Sequence, residues 1–323
     1  NPEVRREVEK VLGFWLQLGV AGFRVDAASH MIEPKGGLER TRPGDPHGIL
    51  RSYREFVTLR RGDAVLLGEA DETPEEMARF FGDGDELNLL FNFLLDNHLF
   101  LALAREEAEP LETGLKILPS IPVQAQWVNF LRNLDELDLE RLSDAQRDDV
   151  YAAFAPKESM RIYDRGIRRR LAPMLGNDRQ RLEQAFCLLF SLPGSPMFVY
   201  GDEIGMGDDL QLEGRDAVRT PMQWSPGPNG GFSEAGAERL IRPAIGRGEF
   251  GYRKVNVEAQ ERHADSLLNW VEHLCRVRRE TPEIGQGEWS ILETGERKAT
   301  ALRYDLLGSI VIVAHNFSPD PCS

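Results

Sequence analysis

Gly19-Val20-Ala21-Gly22-Phe23-Arg24-Val25-Asp26-Ala27-Ala28-Ser29-His30 is the stretch from which the fold of this chain is read. Gly22 to Asp26 has the pattern of a short strand, with Phe23 and Val25 alternating with Arg24 and Asp26. Residues two apart point the same way from a pleat, so Arg24 and Asp26 share a face. Taking such charges out of water costs several kcal/mol unless each finds partners. Charges at the C-terminal end of a strand stand where a barrel or an open α/β sheet collects its chemistry. An ion pair capping a strand is the plainer alternative.

Outward from this strand the chain alternates. Upstream, Asn1-Pro2 starts a helix whose Val4, Val8, Val11, Leu12, Trp15 and Leu16 recur at helical spacing until Gly19 stops it. Downstream, a Gly/Pro-rich loop over 34–48 leads to a helix over 49–59. Ala64 to Glu69 is a second buried strand that ends in a carboxylate. The pattern then predicts a helix over 74–81, a strand over 86–93, a helix over 94–105 and a strand over 126–132. That last strand ends in Asn133-Leu134-Asp135-Glu136. One helix is predicted over 168–192, with the charge run Arg165 to Arg170 as a solvated face, and a fifth strand over 197–200. A long loop over 201–256 and a helix over 266–279 follow. After Trp289 three antiparallel strands are predicted, with turns at Gly295 and Gly308.

Strand–helix alternation gives an α/β fold with a mostly parallel sheet. Strands ending in charged or amide residues at one pole favour a (β/α)8 barrel, which takes its active site from many strand ends. Five strands are legible where such a barrel needs eight, and the chain opens mid-pattern without Met. About three strands are therefore expected upstream of Asn1. Residues 1–284 are read as the C-terminal portion of the barrel, and 285–323 as part of a C-terminal β-sandwich domain.

Composition narrows the function classes. The 323 residues carry 53 acidic and 39 basic side chains, a formal charge of -14. Such a surface repels phosphate backbones and argues against nucleic acid as a partner. The most apolar segment, Ala185 to Tyr200, is interrupted by Pro193, Gly194 and Pro196, which argues against a membrane span. Cys187, Cys275 and Cys322 are odd in number and lack metal spacing, which points to a reducing, cytoplasmic setting without a disulfide framework.

Asp26, Glu69 and Asp135 each end a different predicted strand. Glycoside hydrolysis needs two carboxyl groups flanking the scissile bond, and its transition state carries positive charge that a third carboxylate stabilises. Arg24 is expected to keep Asp26 ionised, and the apolar surroundings of Glu69 to let it hold a proton. A cap or structural hydrogen bond remains the alternative for each residue taken singly.

These motifs resemble the α-amylase superfamily, glycoside hydrolase family thirteen. Gly22-Phe23-Arg24-Val25-Asp26-Ala27 is similar to its fourth-strand signature, Leu67-Gly68-Glu69-Ala70 to its fifth, and Phe130-Leu131-Arg132-Asn133-Leu134-Asp135-Glu136 to its seventh. The resemblance implies that strands four to eight are present. It implies Asp26 as nucleophile, Glu69 as acid/base and Asp135 as transition-state stabiliser, all catalytic. Arg24, His30, Asn133 and Arg219 are the substrate-binding candidates. Tyr200 to Met206, Val218 to Trp224, Val255 to Gln260 and Ile167 to Leu175 resemble the trehalose synthase and α-glucosidase branch. The expected function is a retaining glycosidase or transglucosylase acting on small α-glucosides of the maltose or trehalose type. A trehalose synthase isomerising maltose and a non-catalytic amylase-like scaffold are the alternatives.

No cofactor is implied beyond a structural calcium. The resemblance assigns it carbonyl oxygens of His30 and Met31 and a carboxylate from Glu33, and oxygen donors suit that ion. A lone His after a strand is otherwise a loop hydrogen bonder. One departure touches the site. The family's seventh-strand motif has His before the Asp, where this chain has Leu134. The family's third-strand motif belongs to the part expected upstream.

Overall fold

The computed structural model describes residues 1–32 and 45–321. Two compact units are distinguished, Asn1–Leu94 with Ile117–Val128, and Leu95–Lys116 with Asn129–Ser323.

The first unit opens with helix α1, Pro2–Gln17, capped by the Asn1 side chain, which accepts the Glu3 N–H at 2.9 Å. Its Val8, Leu12 and Leu16 face the core while Val4, Val11 and Phe14 stay exposed. Gly19, at φ 95°, ends the segment in a conformation that favours glycine. Strand β1, Gly22–Val25, follows, then the short helix α2, Ala28–Ile32, and helix α3, Gly48–Arg60. Strand β2, Val65–Gly68, pairs in parallel with β1, with Gly22 opposite Val65 and Val25 opposite Gly68. Glycine is required at position 22 because a Cβ there would stand 2.3 Å from the Val65 carbonyl oxygen.

Helix α4, Pro74–Arg79, leads to strand β3, Leu89–Phe91, and then come helices α5, Phe93–Arg105, and α6, Glu109–Ile117. Strand β4, Gln126–Phe130, pairs in parallel with β3. The first unit's core is built from Leu50, Tyr53 and Val57 of α3, Leu66, Met77, Phe81, Leu90 and Trp127. Phe81 meets Trp127 edge-on at 5.2 Å.

The second unit holds the two-residue strand β5, Leu137–Asp138, and helix α7, Asp144–Phe154. Strands β6, Arg161–Ile162, and β7, Gly166–Ile167, form a small antiparallel sheet with β5, in the order β5-β7-β6. Helices α8, Leu171–Met174, and α9, Arg179–Ser191, precede strand β8, Ser195–Met197. Helices α10, Val257–Glu261, α11, Leu267–Glu280, and α12, Glu283–Gln286, lead to strands β9, Glu288–Leu292, β10, Ala299–Leu306, and β11, Ser309–Asn316. These last three are antiparallel, in the order β11-β10-β9. Leu307 and Gly308, both at positive φ, make the two-residue turn between β10 and β11.

The main sheet has the order β1-β2-β3-β4-β8. Successive neighbours joined by helices are the arrangement of consecutive β/α units, as the alternation predicted. The C-terminal antiparallel strands agree with expectation as well.

Three expectations are corrected, and one helix was not foreseen. The helix over 168–192 is two helices, because Gly176 (φ 68°) and Asn177 (φ 55°) reverse the chain and Asp178 caps a new start by accepting the Arg181 N–H. The fifth strand lies at Ser195–Met197 rather than 197–200. The Arg165 to Arg170 run is not a solvated face. Arg165 pairs with Asp138 and Glu140, Arg169 with Asp208, and Arg170 is buried against Asp202. Helix α7 went unread although Ser143 and Gln146 form a capping box at its start. Among the described residues no helix is long and apolar enough to cross a membrane.

Gly22→Ala is expected to lower stability by about 1–3 kcal/mol through the forced β1–β2 separation. Gly48→Ala, where a Cβ meets nothing within 4 Å, should cost nothing. Urea midpoints of the two variants check this contrast.

Candidate active site

The β1–β2 register brings the first two predicted carboxylates together. Val25 stands opposite Gly68, so Asp26 and Glu69 are the next residues on adjacent strands, and the Glu69 N–H donates to the Val25 carbonyl at 3.0 Å. Arg24 lies between them. Its Nη2 is 2.9 Å from Asp26 Oδ1 and 2.6 Å from Glu69 Oε2. With one nitrogen in contact with both, the two oxygens are at most about 5.5 Å apart, the sum of those distances. The ion pair to Glu69 replaces the apolar setting that the sequence suggested for it. Glu69 is the better covered of the two, 24% exposed against 75% for Asp26.

Behind the pair the chain is held in an unusual turn. Ala27 has φ 44°, a region costly for a residue with a Cβ. The Ala27 N–H is 3.4 Å from Glu69 Oε2, and the Ala28 N–H donates to the Glu69 carbonyl at 2.8 Å. The turn that follows the Asp26 strand is thus bonded to Glu69 by both its side chain and its backbone.

Asp135 is built into the second unit. Its N–H donates to Asn133 Oδ1 at 3.0 Å, a local turn that explains the Asn two residues before it. Asp135 Oδ1 receives Arg219 Nη2 at 2.5 Å and Arg215 Nη1 at 3.0 Å. Arg219 Nε also donates to the Leu134 carbonyl at 2.8 Å. At position 134 that bond uses the backbone, so it does not depend on which side chain stands there. The structure therefore brings Asn133, Asp135 and Arg219 together, and separately Arg24, Asp26 and Glu69.

Sequence reasoning missed four groups around Asp135. Arg215 forks Glu136, Nε to Oε2 at 2.6 Å and Nη2 to Oε1 at 3.0 Å. Burial, the largest influence, would raise the Glu136 carboxyl, but the Arg215 fork, a backbone hydrogen bond and the nearby Arg132 charge together hold the group below the usual carboxylate range. Arg132, fully buried, donates through Nη2 to the Asp135 carbonyl at 2.9 Å. Asp96 faces Arg132 from α5, and burial pushes its carboxyl well above the ordinary range despite that cation. Arg132 and Glu136 lie inside the quoted seventh-strand stretch, so their identities were visible. Arg215 and Asp96 had no local signal.

His30 and Met31 occupy the last turn of α2. Oxygen donors from this segment would suit a calcium ion. Glu33, the third expected ligand, lies outside the described residues.

A sequence model described as the alpha-amylase catalytic domain matches residues 1–287. The chain belongs to the alpha-amylase family. Among curated members of that family it is 43% identical to the trehalose synthase/amylase of Mycolicibacterium smegmatis over 94% of this chain and 51% of that protein. It is 41% identical to the trehalose synthase of Thermus thermophilus, over 98% of this chain and 33% of that protein. The salivary alpha-glucosidase of Anopheles gambiae is 27% identical over all of this chain and 56% of its own length. The chain thus spans about half the length, or less, of these relatives. Among solved structures, the alpha-amylase from H. orenii superposes with TM-score 0.73 at 24% identity, covering 98% of this chain and 55% of that one. The trehalulose synthase of Pseudomonas mesoacidophila does so with TM-score 0.67 at 19% identity, over 98% and 60%. At these identities the structures establish the fold, an alpha-amylase-family α/β architecture.

Because the Glu136 carboxyl is held low in the folded state, its pairing contributes stability in full above the ordinary carboxylate pKa. That contribution is lost as pH falls through the lowered folded value. Glu136→Gln is therefore expected to flatten the acid side of the stability curve while changing its neutral side least in shape. Melting temperatures of both proteins between about pH 7 and pH 3 check this.

Proposed function

We propose that this chain carries the reacting carboxylates of a retaining enzyme for small α-glucosides. The observation that carries the reading is the Arg24 guanidinium touching Asp26 and Glu69 through one nitrogen. Asp26 attacks the anomeric carbon and forms a glycosyl ester, while Glu69 gives its proton to the leaving glycosidic oxygen. Glu69 then takes a proton from water or from a sugar hydroxyl, whose oxygen attacks the same carbon and releases Asp26. Arg24 holds the two carboxylates at working distance. Asp135 is the transition-state stabiliser, and Arg24, His30, Asn133 and Arg219 contact the sugar.

Whether water or a retained glucose accepts the glycosyl group decides between hydrolysis and maltose–trehalose interconversion. Identities of 41–43% with trehalose synthases support interconversion as the second reading. The barrel portion is taken to end at residue 284 and the C-terminal β domain to begin at 285. The match to the family model, which stops at 287, and the start of β9 at Glu288 support that boundary. A structural calcium held by His30, Met31 and Glu33 and a cytoplasmic setting complete the proposal.

Incubating the full protein with maltose and with trehalose, then identifying products, tests the reaction. Glucose alone marks a hydrolase, and either disaccharide arising from the other marks the isomerase. No product from either sugar, in a folded protein, would leave the non-catalytic scaffold as the reading. Asp26→Asn should cut turnover at least about a hundredfold with the fold intact, because the swap is nearly isosteric. Leu134→His should keep or raise activity on maltose, since a donor to the sugar is worth about 1.5–3 kcal/mol where charge develops. Complete loss in that variant would mean the pocket is organised around Leu134 for another sugar.

A further inference from the structure

The contact between Asp135 and Arg219 is supported from both sides by a single dipeptide. On the Asp135 side, Arg132 donates to the Asp135 carbonyl at 2.9 Å and, through Nε, to the Arg169 carbonyl at 2.8 Å. The backbone beneath Asp135 is thereby tied to residue 169. On the Arg219 side, the carbonyls of both neighbouring residues are pinned. Val218 O accepts from Arg170 Nε at 3.1 Å, and Thr220 O accepts from the Tyr200 hydroxyl at 2.7 Å. Arg170 is 1% exposed and also donates through Nη1 to the Tyr200 carbonyl at 2.7 Å and to Asp202 Oδ1 at 3.1 Å. Its guanidinium lies 4.9 Å from the centre of the Tyr200 ring. The dipeptide itself is anchored by Asp208, whose Oδ2 accepts from Arg169 Nε at 3.2 Å and from the Arg170 N–H at 3.0 Å.

We propose that Arg170, together with Tyr200, positions Arg219 on the Asp135 carboxylate. The inference rests on the role given to Asp135 in the proposed function. Arg170 touches neither Asp135 nor Arg219 through its side chain. It holds the Val218 carbonyl, in the peptide that enters Arg219, and Tyr200 holds the carbonyl of Thr220, the next residue, so the backbone that carries the Arg219 side chain is tied down on both sides. Only a guanidinium can do this. Its donors spread in a rigid plane and reach the Val218 carbonyl, the Tyr200 carbonyl and the Asp202 carboxylate at once, whereas an ammonium is a point charge on a flexible stem.

The test is a double-mutant cycle in the full protein that combines Arg170→Lys with Arg219→Lys, read as kcat and KM on maltose. A second readout is the NMR signal of the Arg219 Nε–H, assigned by its loss in Arg219→Lys. Arg170→Lys is expected to lower kcat about 10–100-fold with a smaller change in KM. The double variant should be no worse than Arg219→Lys alone, and the Arg219 Nε–H should exchange faster with water in Arg170→Lys. Additive losses, or an Arg219 Nε–H unchanged in Arg170→Lys, would overturn the inference. Should Arg170→Lys fail to fold, Tyr200→Phe, which removes only the hydroxyl on the Thr220 carbonyl, enters the same cycle and is judged the same way. A wild-type protein without turnover would sink the proposed function instead, and the Nε–H signal would still decide whether Arg219 is held by this pair.

Discussion

The proposed pair of reacting carboxylates depends on the parallel register that sets Val25 against Gly68. Because that pairing is parallel, the residues after it, Asp26 and Glu69, emerge at one level of one sheet edge. A slip of one residue would turn Arg24 and Asp26 to the opposite face, and no carboxylate pair would exist. The register is held by contact rather than by pattern alone. At Gly22 the Val65 carbonyl comes too close for any side chain. Two carboxylates this near repel by about 3 kcal/mol at an effective dielectric of about 20 when both are charged, less where water screens them. Arg24 offsets that repulsion from between them, which is why a cation stands two residues before Asp26.

The second unit meets the same problem by deeper burial. Arg132 and Arg170 are among the largest fully buried side chains of the protein. Neither is an isolated charge. Asp96 and Asp202 face Arg132, and Asp202 faces Arg170. Four of their N–H bonds go to the backbone carbonyls at 135, 169, 200 and 218. Carbonyl-rich surroundings convert an expensive buried cation into a clamp, because a carbonyl offers direction as well as partial charge. The segments so clamped are loops at strand and helix ends, which have no ladder of their own to hold them.

Much of this was legible in the residues. The Phe23/Val25 against Arg24/Asp26 alternation predicted β1, and the carboxylates ending the strands marked one pole as chemical. Antiparallel strands after Glu288 were readable from turn residues, and Leu307-Gly308 became the tight hairpin that such spacing suggests. Local misreadings had local causes. An apolar helical period runs through 168–192, so the reversal at Gly176-Asn177 was masked by residues that fit a helix on either side. Helix α7 gathers its buried apolar residues, Val150, Tyr151 and Phe154, near its end, and its signal was the capping box at Ser143 rather than a periodic stripe.

What the sequence determined by itself was the α/β class, the order of the strands and the identity of Asp26, Glu69 and Asp135 as strand-end carboxylates. These follow from period, turn chemistry and local motif, each contained within a dozen neighbouring residues. The tertiary structure alone decided which charges are partners. Arg24 reaches Glu69 as well as Asp26, Arg215 reaches across 79 positions to Glu136, and Arg170 reaches the Val218 carbonyl 48 positions away. A run of arginines reads as solvated in a one-dimensional pattern, because burial of a cation is repaid only by acceptors brought from distant parts of the chain. Those acceptors exist as a set only once the strands and loops have packed.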